Sequence, residues 1–373
     1  MVKPYVNHKE QSSLPVVDTG RYIPIFIGAT ETTTYSPKIL EFKKYEDAAK
    51  TTASGGLGIE PVDLNTNPLL KCIKEFYEEG EPIEATDLGL GTCYAIDMGI
   101  APTTENWTAA ATLAQTKNDA KIEVYLTSDV SVMDAVYTNI MDVNKLGALK
   151  LAYFIETDKT VSDADLIAKT NVSGVAGSFI NKSRINIIEN QVAGKEIAKL
   201  CYTPFDIEPG RDAFRSIEVG TLKERTPAQM DALSDAGIIF AYDDHFGATV
   251  RPVMNLATST AWALNTEERP NDCLNHARRI ADKVIEDVDI VAYNQLKRNE
   301  TATNIAHVQT DVDTIVDTGI REGYLMEGTE ITVEEADGDP FTLNIYSKIK
   351  PVNTSLYIEH YSTVSYPNVK VTS

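Results

Sequence analysis

The chain has 373 residues, 43% of them apolar, and a formal net charge of −21. That length allows two domains or three, and the apolar content excludes global disorder. The acidic excess argues against nucleic acid as a partner, because phosphate binding requires clustered Lys and Arg.

Residues 1–20 are polar and carry Pro4, Pro15 and Gly20, which reads as an extended arm. They show neither the apolar core of a secretory signal nor an Arg-rich amphipathic pattern, so no address is expected there. "RYIPIFIGATE" follows, with Ile23, Ile25 and Ile27 on one face and Tyr22 and Phe26 on the other. Apolar residues on both faces predict a buried strand, with Pro24 at an edge or a bulge. "SPKILEFKKYEDAAKT" reads as a helix from Pro37 capped by Ser36. "NPLLKCIKEFYEEGE" is a second helix, with Leu69, Cys72, Ile73, Phe76 and Tyr77 at helical spacing. "GTCYAIDMG" is a short strand between glycines, in a region up to residue 120 that is expected to be mixed or β-rich.

From Lys121 the pattern is regular. "KIEVYLT" is a strand, and "SDVSVMDAVYTNIMDVNKLG" is a helix stopped by Gly147. "ALKLAYFIET" is the next strand, so this stretch is a βαβ unit with parallel pairing. A short helix in "SDADLIAKTNVSG", a strand in "SRINIIEN", a helix in "QVAGKEIAKLCYTP" and a strand or loop edge in "FRSIEVGTLK" follow. In "RTPAQMDALSDAG", Thr226 caps a helix whose first residue is Pro227, Gln229 completes a capping box, and Gly237 stops it before the strand "IIFAY". Beyond the turn "DDHFGA" lie irregular β structure in "TVRPVMNLATSTAW" and two long amphipathic helices near 271–297 and 304–322. The chain closes with "GTEITVEE", a "DGD" turn, "FTLNIYSKIK" and "SLYIEHYSTV". The fold expected is α/β plus α+β: a central βαβ-type domain with parallel strands and a C-terminal α+β domain with extended terminal arms. The boundaries are 1–20 for the N-terminal arm, 21–236 for an outer mixed α/β domain, 237–353 for an inner α+β domain and 354–373 for a C-terminal strand or arm.

Motifs that carry chemistry are scarce. There is no phosphate-binding G-x-x-x-x-G-K-[ST], no G-x-G-x-x-G, no G-x-S-x-G and no pair of histidines in H-x-x-x-H spacing. The four cysteines, Cys72, Cys93, Cys201 and Cys273, are far apart and read as buried free thiols. Asp243, Asp244 and His245 follow a strand, where catalytic loops often lie, but a metal or hydrolase site needs a second cluster to close it. His276, His307 and His360 are isolated, and Asp clusters are ordinary turn residues. Arg278 and Arg279, with acidic flanks, read as an intersubunit salt bridge or a solvated face. No catalytic, cofactor or metal site is therefore assigned.

The order of elements resembles contractile-tail sheath proteins of myophages and phage-tail-like bacteriocins. "YIPIFIGATE" is similar to the strand that follows a sheath's N-terminal arm, and "QVAG" to the end of a Pro-rich "PPSG-x-vAG" stretch whose prolines are missing here. "LSDAGIIFAYDDHFGATVRPVMNL" resembles the passage into the C-terminal domain, though without the usual "W-G-x-R-T". "NHARRIADKVIEDV", "DVDTIVDTGIREGYL" and "FTLNIYSKIKPVNTSLYIEHYS" resemble the helices and closing strands that follow, with Lys350-Pro351-Val352 where sheaths often carry Pro-Val. The resemblance implies a mechanical subunit without a cofactor or bond-making chemistry. It implies stacked hexameric rings of this chain around a tail tube protein, with baseplate and tail terminator proteins as further partners and no membrane insertion. The place implied is a virion tail or bacteriocin particle assembled in a bacterial cytoplasm.

Arms that add strands to neighbouring subunits are part of that implication. An exposed strand edge is a hazard in a monomer and a requirement for strand addition between copies. On the residues themselves, Val16 and Val17 in the N-terminal arm, and Leu356, Tyr357, Ile358, Tyr361 and Val364 near the C-terminus, are the candidate interface. Two other readings compete: an α/β metal-dependent enzyme using Asp243, Asp244 and His245, and another oligomeric tail or baseplate subunit.

Overall fold

The computed structural model describes residues 22–30, 37–61, 66–80, 91–145, 149–158, 160–169, 185–189, 192–206, 209, 213–215, 217, 222–244, 249–253, 275–295, 302–336, 339–351 and 358–365. Within these, the larger unit is an eight-stranded sheet. Its strands are β1 (Ile23–Gly28), β2 (Ile39–Phe42), β3 (Cys93–Asp97), β4 (Ala120–Tyr125), β5 (Leu151–Ile155), β6 (Ile185–Ile188), β7 (Ile238–Asp244) and β8 (Thr249–Val253), in the order β2-β3-β1-β4-β5-β6-β7-β8. The six inner strands run parallel, and β2 and β8 close the two sides antiparallel.

The helices of this unit are α1 (Tyr45–Ala48), α2 (Pro68–Gly80), α3 (Thr104–Ala114), α4 (Val130–Lys145), α5 (Asp163–Lys169), α6 (Ala193–Tyr202) and α7 (Pro227–Asp235). The sheet is doubly wound, because its strands are apolar on both faces. Phe26, Val124 and Tyr153 meet Leu69, Phe76 and Ile197 of α2 and α6 on one side. Ile25, Ile27, Tyr125 and Phe154 meet Trp107, Met133, Leu166 and Leu233 of α3, α4, α5 and α7 on the other. Strand β1 is central, as its two-sided pattern requires, and its register shifts at Ile23/Pro24, where the proline supplies no ladder N–H.

Three expectations are corrected here. Residues 37–48 are not one helix: Ile39–Phe42 form edge strand β2, and only a single turn, α1, follows. The apolar Ile39 and Leu40 pair across to Ile96 and Ala95, and this sheet contact outweighs local helix preference. Residues 238–253 belong to the larger sheet as β7 and β8, so the boundary expected at 237 falls beyond Val253. Arg278 and Arg279 are neither solvated nor paired across subunits, since both are buried within this chain.

The smaller unit packs α8 (Asn275–Gln295) and α9 (Ala302–Glu322) on a three-stranded sheet, β11-β10-β9, made of β9 (Glu330–Ala336), β10 (Asp339–Ile349) and β11 (Ile358–Ser365). Ile280, Val284, Val288, Val308 and Val312 face Ile331, Val333, Ile345 and Ile349. The unit docks under the amino ends of the large sheet. Leu149 enters its core, Arg279 donates to the Thr203 carbonyl and lies over the Tyr22 ring, and Lys121 pairs with Glu286 at 3.0 Å. Phe205 meets Tyr324 edge to face. Arg278 is held by Asp282 one turn on.

The Thr226 capping box forms as expected, with the Thr226 hydroxyl accepting from the Gln229 N–H and the Gln229 amide oxygen accepting from the Thr226 N–H. Cys72, Cys93 and Cys201 are buried free thiols; burial pushes Cys93 up to about 12 and raises the other two as well. Cys273 lies outside the described residues. Among the described residues no helix is long and apolar enough to cross a membrane.

Candidate functional site

Two places could carry function: the carboxyl end of the large sheet and the edges of the small one. In the large sheet, β1 and β4 are neighbours whose connections leave in opposite directions, and doubly wound sheets bind ligands outside the carboxyl ends of such strands. Acidic side chains do gather at this end, but neighbours of the same chain occupy them. Asp97 accepts from Thr30 at 2.7 Å and from the Gly99 N–H. Glu156 is bound by Ser128 and Lys169. Glu189 and Asp163 share Arg225, whose hydrogen bonds hold Asp163 below the usual carboxylate range. These contacts fasten the loops to one another.

Asp243 and Asp244 end β7, opposite Val250 and Thr249 of β8, and His245 lies outside the described residues. Among the described residues no group of three or more His, Cys, Asp or Glu could hold a metal ion.

Glu196, in the first turn of α6, differs from these acids. It is 1% exposed, and neither carboxyl oxygen has a hydrogen-bond partner among the described residues. Burial first, then the charges of Glu189 and Glu75, push its carboxyl well above the ordinary range, against the pull of Arg225. The group therefore holds its proton to higher pH in the fold than in the unfolded chain. Stability falls as pH rises from the ordinary value towards the raised one, about tenfold in the folding equilibrium per pH unit. Glu196→Gln keeps the neutral shape, so it should melt at a higher temperature than wild type near pH 7, and the gap should shrink towards pH 4. A gap independent of pH would show that Glu196 is ionised in the fold.

The small sheet presents strand edges. Its central strand, β10, pairs antiparallel on both sides, with Ile345 opposite Val333 and Ser362. Its inner face carries Ile345 and Ile349, fully buried against α8 and α9, with the buried Ser347 between them, while Tyr346 is 42% exposed on the outer face. Strands β9 and β11 are the outer strands.

The expected interface residues divide between these places. Val16, Val17, Leu356 and Tyr357 lie outside the described residues. Ile358, Tyr361 and Val364 lie in β11, opposite Ile349, Tyr346 and Leu343. The segment read from sequence as a C-terminal strand or arm pairs with β10 of its own chain along 358–365.

No protein-family model matches the sequence, and no curated protein matches it. Solved structures do match the fold. The helical sheath of the anti-feeding prophage in its contracted state aligns with 99% of this chain and 98% of its own at 11% identity and a TM-score of 0.60. A sheath tail protein from Listeria innocua aligns with 92% of this chain and 95% of its own at 9% identity and a TM-score of 0.63. One from Desulfitobacterium hafniense aligns with 97% of this chain and all of its own at 10% identity and a TM-score of 0.62. Through both units and nearly its whole length, this chain has the fold of contractile-tail sheath proteins.

Proposed function

We propose that the chain is the structural subunit of a contractile tail sheath, polymerising around an inner tube and contracting to drive that tube through a bacterial envelope. The observation that carries this reading is the likeness of the entire chain, both units included, to a contracted helical sheath. Stacked hexameric rings of this chain, a tube protein inside, and baseplate and terminator proteins at the ends follow from the same reading, as does a tail or tail-like particle as its location.

Within such rings, the terminal segments link the copies. The segment around Val16 and Val17 adds as a strand to the small sheet of a neighbour, beside Ile358, Tyr361 and Val364 of β11. Leu356 and Tyr357, just before that strand, complete the contact. Strand addition uses backbone hydrogen bonds, which suits a contact that must persist while subunits rotate. A head-to-tail contact that does not close on itself generates a helical lattice.

Electron microscopy of the purified chain should show hollow cylinders. A chain lacking residues 1–20 should remain folded and monomeric. Discrete particles from the full chain, or normal cylinders from the truncated one, would overturn the respective part of the reading.

A further inference from the structure

The two outer strands of the small sheet are not equivalent. On β9, the backbone groups of Ile331 and Val333 that point away from β10 are already bonded. The Gln309 side chain of α9 donates from Nε2 to the Ile331 carbonyl at 2.8 Å, and its Oε1 accepts the Val333 N–H at 2.8 Å. Nε2 also donates to Asp313 Oδ1 at 2.7 Å, one turn along α9, which fixes the amide with its nitrogen towards the carbonyl. One side chain thus makes the two bonds that one residue of an added parallel strand would make, a carbonyl and an N–H two residues apart.

We propose that Gln309 is an edge lock. It closes β9 to strand addition and thereby leaves β11 as the edge at which a second copy of this chain docks its terminal segment. The inference rests on the proposed strand exchange for its partner, but the lock itself rests on the hydrogen bonds. The chemistry is selective. A strand arriving at β9 must displace an amide already bonded at both ends, and a buried donor or acceptor left unpaired is costly. On β11 the described residues show no strand beyond the ladder to β10. One closed and one open edge give the sheet a polarity, so copies add in one direction. With two open edges, the same sheet could accept strands on either side and branch.

Gln309→Leu tests this, because leucine has similar bulk and makes no hydrogen bond. In the full chain, hydrogen exchange at the Val333 amide should accelerate about tenfold in the variant, while amides in the middle of α9 keep their protection. A second probe uses Thr332→Cys, on the exposed face of β9. Disulfide-linked dimers through this cysteine should form in the Gln309→Leu background and not with Gln309 present. Gln309→Ala serves as an independent removal and should behave as the leucine variant does.

Unchanged Val333 exchange together with no gain of cross-linking would overturn the lock. The two readings fail separately. If the wild-type chain forms no cylinders but loss of Gln309 still frees the Val333 amide and permits cross-linking, strand exchange in a sheath falls and the lock stands. If cylinders form and loss of Gln309 alters neither measurement, the lock falls and the sheath reading stands.

Discussion

Gly194→Ala should destabilise the chain by about 3 kcal/mol or more, the upper range for overpacking a tight contact. Gly194 lies in the first turn of α6, where that helix crosses α2. A Cβ there would sit 2.1 Å from the Cys72 carbonyl oxygen and 2.6 Å from the Glu75 Cβ. The nearer atom is helix backbone, which cannot rotate away as a side-chain tip can, so the helices must separate. Separation would pull Leu69, Ile73 and Phe76 from Ile197 and Leu200, all fully or almost fully buried. It would also break the bond from the Gly194 N–H to Glu75 at 3.0 Å. Urea unfolding of the two proteins measures the effect, and an unchanged midpoint would show that the helices do not meet at this glycine.

Lys150→Met should cost about 3–5 kcal/mol, the range for stranding one member of a buried ion pair. Lys150 and Glu123 have fully buried side chains 3.0 Å apart. Lys150 also donates to the Ala114 carbonyl at the end of α3, and the Tyr125 hydroxyl donates to the other Glu123 oxygen at 2.6 Å. Removing the lysine leaves a buried carboxylate without its cation, held by the Tyr125 hydroxyl. The double variant Lys150→Met/Glu123→Leu should recover most of the loss, because replacing both charges removes the stranded one. Denaturation of both single variants and the double variant gives the coupling directly. Losses that simply add would mean that the two groups do not depend on each other.

Strand β1, helix α2 and the alternation from β4 to β6 declare themselves because each buries a regular stripe, at period two or near four, and local pattern is all a sequence displays. The α7 cap is legible because it is complete within four residues. Helix α3 is harder to read although its signals are present: Thr103 and Asn106 form a capping box, and Trp107, Ala110, Ala111 and Ala114 are spaced along one buried stripe. Its many small residues weaken the hydrophobic contrast on which periodicity depends. Strand β2 was obscured by charged neighbours with good helix propensity.

Periodicity and punctuation along the chain already declare the parallel centre, the two long C-terminal helices and the closing strands. "QVAG" is one short pattern within the resemblance, and the crossing of α2 and α6 supplies the reason for its glycine. Which charges are buried is set by contacts between distant segments. Lys150, Glu123, Glu196, Arg278 and Arg279 look like surface residues in a strongly acidic chain, and their burial depends on partners distant in sequence, as Thr203 and Tyr22 are for Arg279. The tertiary structure also placed β7 and β8 in the large sheet and closed β9 with Gln309, because strand order and edge protection are relations between distant segments, which no local pattern encodes.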